Sequence, residues 1–534
     1  MFELVLAVVT IVLLLQCLNR RKKSSHSIAR IPGPPSPSYI LGNLAQYFLG
    51  EVGEHEYTWQ ERYGAVYRIK GLFGVSRLMV SDPKVSHRNA KTNWPRPVIY
   101  RELGRFFLGR GIAWAQGIDH KRHRKILSPA FGNIKSRGMM PVFRKITDRR
   151  TIISQEAAGA SAEINVADWL SRAILDTVSE AAFHYEFGSL ENRDNKLARS
   201  YNSLLVDAFV APNKAKIFAQ QTLSYAPIGF FSLIEKLPSR SLKHLRATAE
   251  EGDKVAWKLV DEKLEALHNG LLPSYRDVMD IFVQANASEN PSNRLSDEEL
   301  YAQLRTIIAA GHKTTGNQLC FILYELAHHQ DVQSKMRNKI DFMLQSVSTR
   351  GDAEYNMADL DSMKYTLAVL NKALCMHPVV YGPFVYVKKE DILPLSKPIR
   401  TTDGKMISEI PVGPRQYMHM SFAGYNRQVH DVWGDDAYDF CLERWLDGNA
   451  TKAEVHFGMY HNLGNFASGT ISCLGWRFAT IEMQTYIVEI FRNFKISNPG
   501  SGKRVLQATS SVIAPVLEGE QGKKQLPLTV TVIG

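Results

Sequence analysis

The chain has 534 residues, 45% hydrophobic and 22% charged, a balance that excludes a disordered, collagen-like or polytopic membrane protein. A formal net charge of +12 suits an anionic membrane surface or an acidic protein partner; no zinc-type Cys/His spacing accompanies it, and no nucleic-acid motif, so no nucleic acid is expected. Five cysteines (Cys17, Cys320, Cys375, Cys441 and Cys473) are too few and too scattered for a disulfide framework, which places the folded part in a reducing compartment.

Residues 4–15 are apolar apart from Thr10, and the run extends to Leu18. Eighteen helical residues reach roughly 27 Å, enough for the thin endoplasmic reticulum bilayer. Arg20, Arg21, Lys22 and Lys23 follow at once. Positive charge stays cytosolic, so residues 1–19 are predicted to be a single-pass transmembrane helix with the body in the cytosol. The alternative is a cleaved signal peptide, but the charges follow the apolar run and no small-residue cleavage site is evident. Residues 31–37 read Ile-Pro-Gly-Pro-Pro-Ser-Pro, which cannot continue a helix. Residues 20–40 are therefore expected to be a basic stop and a proline-rich hinge at a fixed angle, or a plain linker.

Residues 41–534 show no linker, low-complexity block or repeat, and are expected to form one body. Helical periodicity dominates from about 55 to 380, for example over 164–187 and 253–269. The last third mixes irregular stretches with short β-like runs at 407–412 and 528–533. The expected class is mainly α with a smaller β portion.

The longest predicted helix starts at Ser296-Asp-Glu-Glu299, a capping box. Its apolar pattern runs through Leu300, Leu304, Ile307 and Ile308 to Leu326, roughly 45 Å in all, so it should cross the whole body. Ala310-Gly-His-Lys-Thr-Thr315 sits in its middle. Gly311 weakens the helix by about 1 kcal/mol relative to alanine, and the threonines can bond back to carbonyls and bend it. This soft centre is either room for a bulky ligand or a packing notch. Near the C-terminus, residues 466–479 read Phe-Ala-Ser-Gly-Thr-Ile-Ser-Cys-Leu-Gly-Trp-Arg-Phe-Ala, and a helical pattern follows. Cys473 thus lies on a loop entering a helix. Gly469 and Gly475 would let backbone pass close to a flat ligand. Backbone N–H groups and the helix N-terminus should lower the thiol pKa. Such a thiolate can hold haem iron; a buried inert cysteine is the alternative.

Together these segments resemble the cytochrome P450 family of haem-thiolate monooxygenases, over essentially the whole chain. The family's Phe-x-x-Gly-x-Arg-x-Cys-x-Gly loop is matched by Phe466, Gly469, Cys473 and Gly475. Its Ala/Gly-Gly-x-Asp/Glu-Thr-Thr/Ser oxygen groove is matched by Ala310, Gly311, Thr314 and Thr315. His120-Lys-Arg-His-Arg124 is similar to its Trp-x-x-x-Arg helix, and Leu442-Glu-Arg-Trp445 to its Pro-Glu-Arg-Phe/Trp segment. The resemblance implies a single large haem-binding domain over 41–534. It implies haem b (iron protoporphyrin IX) on Cys473, with Arg124 and His120 at the haem and Arg124 on a propionate. His120 and His123 read equally well as surface histidines. Thr314 would be catalytic, beside the oxygen. Ile307, Ile308, Ala310, Val379 and Val380 would touch substrate. Electrons would come from NADPH-cytochrome P450 reductase, and a lipophilic small molecule would enter from membrane lipid; the basic run 121–125 reads as a docking site for that reductase or as a solvated or membrane-facing patch. The flavour is fungal, which suggests secondary metabolism, for example of terpenoids, or xenobiotic oxidation.

Four positions depart from the family pattern. Its Glu-x-x-Arg pair falls on Lys372 and Cys375. An acid between two bases thereby becomes Lys372 facing Arg444, a repulsion of about 4 kcal/mol at 4 Å and a dielectric of 20. Lys372 must swing away, deprotonate or find an acid such as Glu443, and Cys375 is expected only to pack. The loop arginine is Ile471, and the acid before Thr314 is Lys313, with His312 the nearest titratable group. The alternative function is accordingly a catalytically impaired relative or a hydrophobic-ligand-binding protein.

Overall fold

The computed structural model describes residues 28–92, 94–147, 161–191, 213–235, 240–269, 278–286, 290, 294–427, 432–448, 455–499, 502–508, 512–520 and 522–533. The expected anchor and its basic stop lie outside the described residues. Among the described residues no helix is long and apolar enough to cross a membrane.

The proline-rich segment is docked. Ile28 and Ile31 are buried, and the Arg68 backbone N–H donates to the Pro32 carbonyl at 2.8 Å. Gly33 is required there, because a Cβ would sit 1.8 Å from the Arg68 carbonyl oxygen. Proline leaves this stretch short of donors, so it serves as an acceptor edge beside a strand.

The frame of the site then follows in chain order. Helices α1 (Leu44–Leu49) and α2 (Glu54–Tyr63) precede strands β1 (Val66–Lys70) and β2 (Ser76–Val80). Helices α3 (Pro83–Thr92) and α4 (Gly117–Leu127) lead to β3 (Ser161–Asn165) and α5 (Val166–Phe183). The long α6 (Asp297–His328) and α7 (Lys364–Met376) come before β4 (Phe384–Tyr386), β5 (Asp391–Arg400), β6 (Met406–Val412) and β7 (Tyr417–Met420). Helix α8 (Trp476–Asn493) runs into β8 (Phe494–Ser497), and β9 (Val505–Ala508), β10 (Ala514–Leu517) and β11 (Pro527–Val532) close the chain. Four strands pair in the order β1-β2-β7-β4, parallel only between β2 and β7; three more pair as β3-β11-β8.

The main core is helical. Leu170, Ile174 and Val178 of α5, Leu319, Ile322 and Leu326 of α6, Val369 and Leu370 of α7, and Ile487 and Phe491 of α8 form one buried cluster. The strands bury a separate cluster, including Val66, Leu78, Val385 and Met418. Ile164 belongs to strand, not helix, because Ile164 pairs with Leu528 across nearly the whole chain. The helix expected at 253–269 is the C-terminal part of a longer one, Arg240–His268, which ends one residue earlier than expected.

Helix α6 carries the expected capping box: the Glu299 N–H donates to Ser296 Oγ at 3.2 Å, and the Ser296 N–H to Glu299 Oε2 at 2.9 Å. The same carboxylate takes both Arg122 amines, at 2.6 and 2.9 Å, and His123 Nε2 at 3.1 Å. This ties α4 to the start of α6. Burial would raise the Glu299 pKa, but Arg122, the Ser296 N–H and His123 outweigh it and hold the pKa at about 2. Its stabilisation is therefore complete above about 4.5 and lost as pH falls towards 2. Glu299→Gln is expected to cost about 1–3 kcal/mol at neutral pH. Denaturant midpoints should show the gap between variant and wild type closing over that acidic window; a constant gap would assign the loss to packing.

Candidate functional site

The segment before α8 is irregular, so each of its polar backbone groups needs a specific partner. Two short 3-10 turns, Gly464–Phe466 and Gly469–Ile471, shape it. The Cys473 N–H donates to the Phe466 carbonyl at 2.9 Å. Two asparagines pin the loop, half-buried Asn465 to α7 and buried Asn426 to the short helix Phe422–Asn426. Asn465 Nδ2 donates to the Leu374 carbonyl at 2.9 Å, and the Gly464 N–H donates to Asn426 Oδ1 at 2.8 Å. Gly469 has φ +64°, and a Cβ there would lie 2.4 Å from the Ala90 carbonyl oxygen. It admits the end of α3 and is not among the cavity-lining residues, which corrects its expected approach to a flat ligand.

The Cys473 sulfur opens into a cavity of about 1450 Å³. That exceeds the roughly 300–1,000 Å³ of a single small-ligand pocket, leaving space for a cofactor and a substrate together. Phe466, Ile471 and Gly475 line it from the loop; Ile307, Ala310, Gly311, Thr314 and Thr315 line it from α6. Val379 and Val380 after α7 also face it. Ile308 does not: it is 4% exposed and belongs to the main core, about 100° around the helix from Ile307. Gly311 is both cavity wall and packing notch, since a Cβ would meet Val178 at 3.0 Å. Helix α6 runs unbroken through it. Thr314 Oγ1 donates to the Ala310 carbonyl at 2.5 Å.

Burial raises the Cys473 thiol pKa, with the Gly475 N–H and then Arg124 pulling the other way. Desolvation therefore outweighs the lowering expected from a helix end. Arg124 donates to the Ser472 carbonyl at 2.6 Å and to Ser472 Oγ at 2.7 Å, and its side chain also borders the cavity. His120 is buried against the cavity, and burial with Arg124 and Arg96 lowers its pKa to about 4. His123 is fully buried too, between Glu299 and Gln303 Nε2 at 3.1 Å. Neither is a surface histidine. Arg96 was not flagged by any motif, yet it lines the same wall.

Beneath α7 the expected repulsion is resolved without Glu443. Lys372 is completely buried and donates Nζ to the Ala437 carbonyl at 3.0 Å. Burial lowers its pKa. Arg444 instead pairs with Asp436 and with the Trp433 carbonyl. Glu443 accepts from the Cys441 thiol at 2.9 Å. Cys375 is more than packing: its thiol donates to the Asn426 carbonyl at 3.1 Å. His312 turns from the cavity towards Ser171 Oγ at 2.9 Å, and Lys313 is buried away from the cavity as well. Glu482 of α8, fully buried, lies beside the Thr315 hydroxyl, and burial pushes its pKa well up.

The sequence model of cytochrome P450 matches residues 32–519. The chain belongs to the cytochrome P450 family. Cytochrome P450 monooxygenase 212 of Postia placenta is 30% identical over 95% of this chain and 94% of its own length. Cytochrome P450 monooxygenase claU of Ampulloclitocybe clavipes is 28% identical over 97% and 94%. A ganoderic acid synthetase of Ganoderma lucidum is 27% identical over 94% and 93%. The family's cofactor is a thiolate-held haem. The residues present fit it: a cavity-facing thiol, with Arg96, Arg124 and neutral His120 on the wall to meet two carboxylates.

Asp436, eight residues before Arg444, is the acid that no motif flagged. Asp436→Ala is expected to cost about 1–3 kcal/mol, below the about 3–5 of a fully buried pair because Asp436 is part-exposed. Chemical denaturation checks this; no loss would mean that the Trp433 carbonyl alone satisfies Arg444.

Proposed function

We propose that this P450 is a monooxygenase that inserts one oxygen atom of O2 into a lipophilic small molecule. The observation that carries the reading is Cys473 opening into the same cavity as Ala310, Gly311 and Thr314 of α6. Cys473 would ligate haem b, held in place by its N–H bond to Phe466, and the Gly475 N–H would favour the thiolate. When bound, haem supplies the iron chemistry of oxygen activation. Arg124 and Arg96 would hold its carboxylates.

The chain's own groups do the rest. Thr314 Oγ1, anchored on the Ala310 carbonyl, keeps an acceptor turned to the cavity. Lys313 supplies no acid there; Glu482 stands behind Thr315, and burial holds its carboxyl pKa well above the usual carboxylate range. Ile307, Val379 and Val380 exclude water. Electrons would arrive from NADPH through NADPH-cytochrome P450 reductase, with exposed Lys121 and Lys125 as its basic contact. Residues 1–19 would anchor the chain in the endoplasmic reticulum membrane, 20–40 would form the hinge, and 41–534 would form the catalytic body in the cytosol. The fungal relatives support secondary metabolism as its setting. Asp436 beside Arg444, Arg96 on the cavity wall and Glu482 behind Thr315 support the active reading over the impaired alternative.

Dithionite-reduced protein is expected to give a thiolate-type absorbance band with carbon monoxide at near one haem per chain. Cys473→Ala should lose that band without unfolding. A nitrogen-ligated band, or folded wild type without haem, would overturn the reading.

A further inference from the structure

One wall of the cavity differs from the rest. Tyr47, Phe48, Tyr100, Tyr381 and Phe384 line it as one aromatic group. Tyr47 meets Phe48 edge-on at 4.9 Å between centroids, and Tyr381 and Phe384 at 6.4 and 6.2 Å. Tyr100 stacks on Phe384 at 5.1 Å. Behind them, on α2, stands Glu56, 3% exposed and also part of the cavity wall. Its Oε2 makes no hydrogen bond of ordinary geometry; the neutral hydroxyls of Ser421 and Tyr381 are turned towards it.

A buried acid normally has a counter-charge. Glu56 has none among the described residues. Glu51 also borders the cavity, but it is paired with Arg504 at 2.7 Å. The groups facing Glu56 are Tyr47 from α1, Tyr57 from its own helix, Tyr67 from β1, Tyr381, and Ser421 after β7. His419 on β7 lies 3.3 Å from the Tyr47 hydroxyl, and burial lowers its pKa to about 3, so it is neutral. Arg427 stacks on Tyr57 at 4.7 Å, but its guanidinium donates to the Met376 carbonyl at 2.6 Å. Of the cavity's cations, Arg96 and Arg124 are expected to meet cofactor carboxylates, and Lys121, Lys216 and Lys388 border it without a charge interaction with Glu56. An unpaired acid behind a set of aromatic faces is the recognition chemistry of an organic cation.

We propose that this wall is a cation subsite, taking the protonated or quaternary amine of a lipophilic substrate against Tyr47, Tyr381 and Phe384, with Glu56 as counter-charge. Tyr381 would swing to admit it, since the Glu56 carboxylate is covered. The subsite names the substrate class for the function proposed above and rests on that reading for the substrate's fate. Binding is measured apart from turnover, so each can fail alone.

Burial raises the Glu56 pKa to about 7, with Ser421 and Tyr381 offsetting it in part. The subsite is therefore anionic above that pH and neutral below it. The test uses the haem-loaded full chain and dodecyltrimethylammonium below its micelle concentration. Its nitrogen has no lone pair, so it cannot ligate iron. Equilibrium dialysis against the neutral 1-dodecanol provides the comparison. Cation affinity is expected to rise about tenfold from pH 6 to pH 8, in step with Glu56 ionisation, while dodecanol affinity stays flat. Glu56→Gln should abolish that rise and leave dodecanol binding intact. Tyr381→Leu should weaken the cation about fivefold at pH 8. A flat wild-type profile overturns the proposal without any variant, as does absence of cation binding or an unchanged rise in Glu56→Gln.

Discussion

The Cys473 thiol faces an interior cavity from a stretch of chain that is neither helix nor strand. Most of this structure answers that constraint. An irregular buried loop cannot satisfy its own N–H and C=O groups. Here neighbours satisfy them: Asn465 binds the loop to α7, Asn426 accepts from Gly464, and Arg124 of α4 binds Ser472. Gly469 admits the end of α3. The loop is thus held from three sides before it turns into α8. Helix α6 supplies the facing wall, and its register is set at the far end by Glu299, which binds Ser296, Arg122 and His123 together.

Charge is distributed by the same logic. Two buried cations beneath α7 do not repel destructively, because each has its own acceptor. Lys372 takes a carbonyl and Arg444 takes Asp436. A lysine at position 372 is tolerable only because a backbone oxygen points at it and its pKa falls. In the cavity, cations gather near the cysteine loop, while Glu56 stands without a counter-charge on the aromatic wall. That separation gives the cavity a polarity that its apolar lining alone would not.

Local sequence made several parts legible. The capping box at Ser296 marks the start of α6 because both of its partners lie within four residues. The strands at β6 and β11 follow from alternation. The cysteine loop was recognised from the spacing of Phe466, Cys473 and Gly475. Other parts were hidden. Ile164 read as helix because its strand partner, Leu528, is some 360 residues away. Ile308 read as a substrate contact because periodicity does not say which neighbour owns a helix face; α5 and the core claim it. Arg96, Asp436 and Glu482 carry no motif, so no sequence signal marked them.

The amino-acid sequence by itself therefore determined the class of the protein. Helical periodicity, the soft centre of the long helix and the cysteine loop are short-range patterns, each written in fewer than thirty consecutive residues. Only the tertiary structure decided how the groups at the departures from the family pattern are paired. Charge compensation, thiol pKa and cavity lining depend on distances between groups that lie far apart in the chain or have no fixed spacing. Lys372 meets Ala437, Arg124 meets Ser472, and Glu56 meets Tyr381, and folding alone brings those groups within reach.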